Sequence, residues 1–263
     1  MQKFVIFILI ALTLSSCKAE ITPYPTPTNF DEYANAATQI AVLTSTTATA
    51  DVQPEHSEEI LDEGKSNIVF RDDFDAQLKL GWEWVNEKKE NWSLATKPGF
   101  LQINVANGYF NLKNASNVLL YNAPQGDFIL ETSIVFDAQQ SEQFAGLIVL
   151  ESSENYAQTG IGFCPVVVGC VGRGIYLDIY QNAKLSLPRN SMAYPENVLF
   201  IQWVLVDGTM TVFTSKDNYS WFKAFQKSLN FEVNQVGLIA AQNTSEELAS
   251  AAFDYFEIRQ ITP

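Results

Sequence analysis

The chain has 263 residues, 47% of them hydrophobic and 13% aromatic, enough to bury one large core, and a single all-β domain of about 200 residues is an ordinary size. Its formal net charge is −14 and its Lys and Arg residues are scattered, which removes the basic footprint that a phosphate backbone requires and argues against nucleic acid as a partner. The same acidity argues against adsorption to anionic lipid through a basic patch.

Residues 1–17, MQKFVIFILIALTLSSC, place Lys3 before an apolar run of roughly a dozen residues, close to a secretory h-region and short of the ~20 needed to span a bilayer. Export is the expectation. Leu14-Ser15-Ser16-Cys17 directly behind that run resembles the bacterial lipobox, in which the cysteine is lipidated. A fully acylated Cys17 holds the protein to a membrane, because two or more chains bind firmly where one binds marginally. The expected location is therefore the cell surface or the periplasmic side, with the membrane unspecified.

Residues 18–65 shift to Pro, Thr, Ser, Ala and acids, as in ITPYPTPT and LTSTTATA, a composition that cannot bury enough apolar surface to order itself. This segment reads as a tether with a typical reach of about 40 Å.

From Ser66 to Pro263 the pattern is β. DFILETSIVF sets Phe128, Leu130, Thr132, Ile134 and Phe136 on one face and Ile129, Glu131, Ser133 and Val135 on the other, the period of two of a sandwich strand. Turn signals stand at Asn107-Gly108, Asp207-Gly208 and Asp217-Asn218, the first two because a type I′ turn needs positive φ at both central residues. Residues 198–226 are expected to form a three-stranded meander. Short strands, tight turns and no long helical pattern predict an antiparallel two-sheet sandwich or jelly roll. Outside the cytosol, Cys164 and Cys170 in FCPVVVGC are expected to form a disulfide. The rival metal site lacks further ligands, since the one histidine is His56 in the tether.

FRDDFDAQLKLGWEWVNE, NWSLATKPGFLQI, QFAGLIVLESSENY, TSKDNYSWF, VGLIAA and AAFDYFEI, in that order, resemble the C-terminal concanavalin A-like domain of family 43 β-xylosidases and its stand-alone relatives. The resemblance implies a jelly roll whose first strand, near Asp72 to Asp75, lies beside the last, AFDYFEI. It also implies a place among carbohydrate-active proteins. In the xylosidases the catalytic acids belong to a separate propeller; here anchor and tether occupy its place, so activity is not expected to follow the fold.

A Ser-His-Asp or Cys-His centre has no histidine within the domain. Glycoside hydrolysis needs two suitably spaced carboxyls, and acids such as Glu131, Glu151 and Asp178 would have to converge from separate strands. Asp72, Asp73 and Asp254 are candidate ligands for a calcium ion, the one cofactor suggested. Trp82 and Trp84, at spacing two, are expected on one interior face, with Trp92, Trp203 and Phe253 also in the core. The candidates for stacking on sugar lie beside turns: Tyr156, Tyr194, Tyr219 and Trp221. The leading expectation is thus a lipid-anchored, non-catalytic module that binds xylan-like or other neutral glycans. A structural or protein-interaction lipoprotein and a hydrolase with dispersed carboxylates are the alternatives.

Overall fold

The computed structural model describes residues 66–107, 112–167, 169–243 and 249–262. The expected signal peptide, Cys17, the expected tether and Gly108 of the Asn107-Gly108 turn lie outside the described residues. Within them the chain builds two packed sheets whose strands are numbered in chain order. Sheet I runs β15 (Phe222–Ser228), β14 (Thr209–Ser215), β13 (Val198–Val206), β7 (Phe128–Val135), β17 (Ser250–Ile261), β4 (Leu101–Asn104) and β3 (Trp92–Ser93), with β1 (Ser66–Asp72) also paired to β17. Sheet II runs β11 (Lys184–Leu185), β10 (Cys170–Gln181), β9 (Tyr156–Val167), β8 (Phe144–Leu150), β16 (Gln235–Gln242), β6 (Val118–Asn122) and β2 (Glu83–Val85). Its remaining strands are β12 (Asn190–Ala193) on β10 and β5 (Ala106–Asn107) on β16.

All pairings among these strands are antiparallel except β5 with β16. The chain crosses between sheets from β1 to β2, β2 to β3, β4 to β5, β6 to β7, β7 to β8, β12 to β13, β15 to β16 and β16 to β17, which makes the fold the expected jelly roll. The first strand lies on the last, with Asp72 opposite Phe256. Residues 198–226 form the expected meander β13–β14–β15, and its first turn holds Asp207 at φ +48 and Gly208 at φ +70. Among the described residues no helix is long and apolar enough to cross a membrane.

Alternation explains the core. Phe128, Leu130 and Ile134 of β7 and Leu199, Ile201, Trp203 and Leu205 of β13 point between the sheets and are buried, each large side chain contributing about 1.5–3 kcal/mol by leaving water. Trp82 and Trp84 pack against this same core, half-buried at its margin. The Trp82 ring lies 4.9 Å from Phe256, and Trp84 lies 4.9 Å from Trp92.

Period-two patterning places polar residues on the outer faces, yet β8 is buried along its whole length. A second apolar layer, including Leu120, Phe144, Ile148, Tyr176 and Ile239, coats the outside of sheet II together with Leu112 and Ala115 of a loop. That loop is pinned by side chains: Asn86 Nδ2 donates to the carbonyls of Lys113 and Ala115, and Asn117 exchanges hydrogen bonds with the Lys88 backbone. Cys164 and Cys170 are bonded as expected, with an S–S distance of 1.96 Å.

Candidate functional site

On β7 the residues between the core-facing ones point away from sheet II, so Glu131 lies on the outer face of sheet I. The pairing of β7 with β17 sets Glu257 opposite Glu131, and the pairing with β13 sets Gln202 opposite it on the other side. Arg259, two residues beyond Glu257, shares this face. The polar residues therefore form a row across three central strands, which sequence spacing within any one strand does not reveal.

The β14–β15 connection supplies a rim. Asp217 Oδ1 accepts the Tyr219 and Ser220 amides at 3.0 and 2.8 Å and the Ser215 hydroxyl at 3.0 Å. These bonds hold its carboxyl well below the usual range, at about 2. With Asn218 at φ +64, the capped turn presents Tyr219, 87% exposed, and Trp221, half-buried. Both line a cavity of about 340 Å³ with Ser66, Ile129, Glu131, Gln202, Phe213, Asn218, Glu257 and Arg259.

The floor is a closed network of charge-assisted bonds. Glu131 accepts from the Tyr255 hydroxyl at 2.6 Å, from Gln202 Nε2 at 2.9 Å and from Arg259 Nη2. Glu257 accepts from Arg71 Nη1 at 2.7 Å and lies 3.2 Å from Arg259 Nε. Arg71 in turn lies over the Tyr255 ring, 4.3 Å from its centre. Burial and the neighbouring carboxylates push the Tyr255 hydroxyl pKa far up, so it remains a donor. Each floor carboxylate is thus paired with a guanidinium group, Arg71 being shared with Asp73, and fixed polar groups beneath aromatic walls suit a hydroxyl-rich ligand.

Of the four aromatic candidates, the cavity takes Tyr219 and Trp221. Tyr156 is a correction: it is 1% exposed, because it opens β9 beneath the layer that coats sheet II, and cannot present a stacking face to solvent. Tyr194 is half-buried against the core and its hydroxyl donates to the Val198 carbonyl at 2.6 Å, which closes a loop; burial raises its pKa to about 12.

The proposed calcium ligands do not gather. Asp72 is buried, and its carboxylate accepts the Phe74 and Lys79 amides and Trp82 Nε1 at 3.0, 2.9 and 2.8 Å. Asp73 pairs with Arg71, and Asp254 lies near enough to feel Arg71, Lys97 and Asp73 while burial raises its pKa. Among the described residues no cluster of three or more acids, His or Cys could hold a metal. Glu131, Glu151 and Asp178 do not converge on one another, although Glu131 meets Glu257 across the pairing of β7 with β17. Glu131 faces outward from sheet I, Asp178 lies on sheet II in a bidentate pair with Arg189 at 2.8 and 2.9 Å, and Glu151 accepts from Asn155.

Residues 71–259 match the family model described as the β-xylosidase C-terminal concanavalin A-like domain. Among solved structures, the family 43 protein BlXynB of Bacillus licheniformis superposes with a TM-score of 0.63 at 20% identity, over 77% of this chain and 40% of that one. A xylan β-1,4-xylosidase from Bacillus halodurans gives 0.61 at 17%, over 81% and 42%. The chain thus spans about 40% of the length of these two proteins. The CBM2 module of the evolved Dit protein of Lactobacillus casei phage J-1 gives 0.55 at 10%, over 76% of this chain and 97% of that one. At these identities the likeness is one of fold. No curated protein sequence matches the chain.

Proposed function

Because the chain belongs to the family of β-xylosidase C-terminal concanavalin A-like domains, we propose that it is a glycan-binding module of the cell envelope, held to a membrane through lipidated Cys17 and not itself hydrolytic. The observation that carries this reading is the sheet I cavity, where Tyr219 and Trp221 stand beside the charge-paired network of Glu131, Gln202, Glu257 and Arg259. Pyranose faces stack on exposed rings, and fixed donors and acceptors order the hydroxyls. Xylan-like chains are the first ligands to test, given the xylosidase affiliation of the family.

Against hydrolysis stands the use already made of the two glutamates. Each carboxylate of the floor is engaged by arginine, and Glu131 by a tyrosine and a glutamine as well. A hydrolase needs one carboxyl free to deliver a proton and another free to meet the anomeric carbon or its water.

Two experiments test the proposal. A glycan array probed with the full chain should report plant or bacterial neutral polysaccharides; silence across the array counts against binding. Cell fractionation should place the exported chain with membranes and Cys17→Ser in the soluble fraction. Equal partitioning of the two would remove the anchor.

A further inference from the structure

The sheet I cavity has a direction. The strands that line it, β14, β13, β7, β17 and β1, are successive neighbours in the sheet. Phe213, Gln202, Glu131 and Glu257 stand in register, each opposite the next. Ile129 and Arg259, also paired, make a second row beside them. Along a strand the lining takes one outward residue or two, a step of about 7 Å, whereas the four steps from β14 to β1 cover about 19 Å. The long axis therefore crosses the strands.

Both ends of this groove lie open. At the β14–β15 end Tyr219 is 87% exposed, so solvent lies beyond its ring. At the other end β1 pairs with β17 and, among the described residues, with no second strand, so the sheet stops there. Ser66 lines the cavity at that edge. Ile68 shares its face, stands in register with Arg259 and is 59% exposed. Apolar surface thus flanks a polar middle. In that middle Gln202 gives Nε2 to Glu131, which leaves its carbonyl oxygen to accept from a hydroxyl, and Arg259 uses Nη2 and Nε on the two glutamates, which leaves Nη1 to donate. A site for a chain end closes around one terminal residue. A groove that is long, shallow and open at both ends lets a chain run through.

Resting on the glycan-binding reading above, we infer that the ligand is a linear polysaccharide held along an internal stretch of at least three sugar residues. It lies across the strands, with one sugar on Trp221, the middle of the stretch over Gln202, Glu131 and Arg259, and a further sugar on Ile68.

The test is calorimetry of the full chain with xylo- and cello-oligosaccharides of two, four and six residues, and with the six-residue members reduced to their alditols. In at least one series the six-residue sugar should bind about tenfold or more tighter than the two-residue one, because added contacts follow once the chain is placed. Reduction to the alditol should leave its affinity unchanged. Ile68→Ala, an exposed substitution whose folding is checked by thermal unfolding, should weaken it about threefold through lost apolar contact. Affinity that does not rise with length, that is lost in the alditol, or that ignores Ile68→Ala overturns the inference and leaves glycan binding standing. No binding by either series also overturns it, and silence across the glycan array as well overturns the reading on which it rests.

Discussion

Asp72 and Asp217 are side chains whose removal unties a loop. Asp72 gathers three N–H donors from the segment that leads into Trp82. Asp72→Ala leaves them unmet around a buried position and should lower stability by about 3 kcal/mol, read from urea unfolding. Asp217 behaves as a pH probe. Its folded pKa, about 2, lies below the ordinary 3.8, so the bonds to Ser215, Tyr219 and Ser220 are complete above the ordinary value and are lost as pH falls through the folded one. An NMR titration should find the Asp217 carboxyl midpoint near 2, with the Tyr219 and Ser220 amides shifting in parallel. At this scale Asp207-Gly208 and the Cys164–Cys170 pair were legible in the sequence, because positive φ and short-range cysteine pairing are local demands. Tyr156 was not: standing next to the turn in SSENY suggested exposure, but its fate depends on a layer that comes from elsewhere in the chain.

Among the elements, the long β9–β10 hairpin and its neighbour β8 bear most on sheet II. At Gly160 a Cβ would lie 1.9 Å from the Ala145 carbonyl oxygen and 2.5 Å from the Gly146 Cα, a backbone approach that only glycine permits. Gly160→Ala should therefore cost several kcal/mol, about 3 or more, and appear as early loss of amide protection in β8 and β9 on hydrogen exchange. Reducing the disulfide, or replacing both cysteines by serine, should cost about 2 kcal/mol for so short a loop. Strand patterning gave the core faces of β7 and the meander β13–β14–β15 correctly, since one buried face imposes period two. It could not give the sheet I floor. Glu131 and Glu257 meet only through the register of β7 with β17; Arg259 joins them through the same pairing and Arg71 through that of β1 with β17. The alternation in YFEIRQI, with Glu257 and Arg259 on the face opposite Phe256 and Ile258, was the one available signal.

For the molecule as a whole, the family, the jelly roll and a cavity with aromatic walls and a charge-paired floor are the support for the proposed sugar binding, while the composition of the first 65 residues adds the expectation of an anchor and a tether. Fold affiliation by itself does not carry activity, so the claim rests on the cavity. Calorimetric titration of the full chain with a xylo-oligosaccharide series, repeated with Trp221→Ala and Tyr219→Ala, is the direct test. Saturable binding that weakens about tenfold in Trp221→Ala, the loss of one aromatic contact of about 1.4 kcal/mol, is the predicted result. Binding left unchanged in both variants would contradict the placement of the site on sheet I.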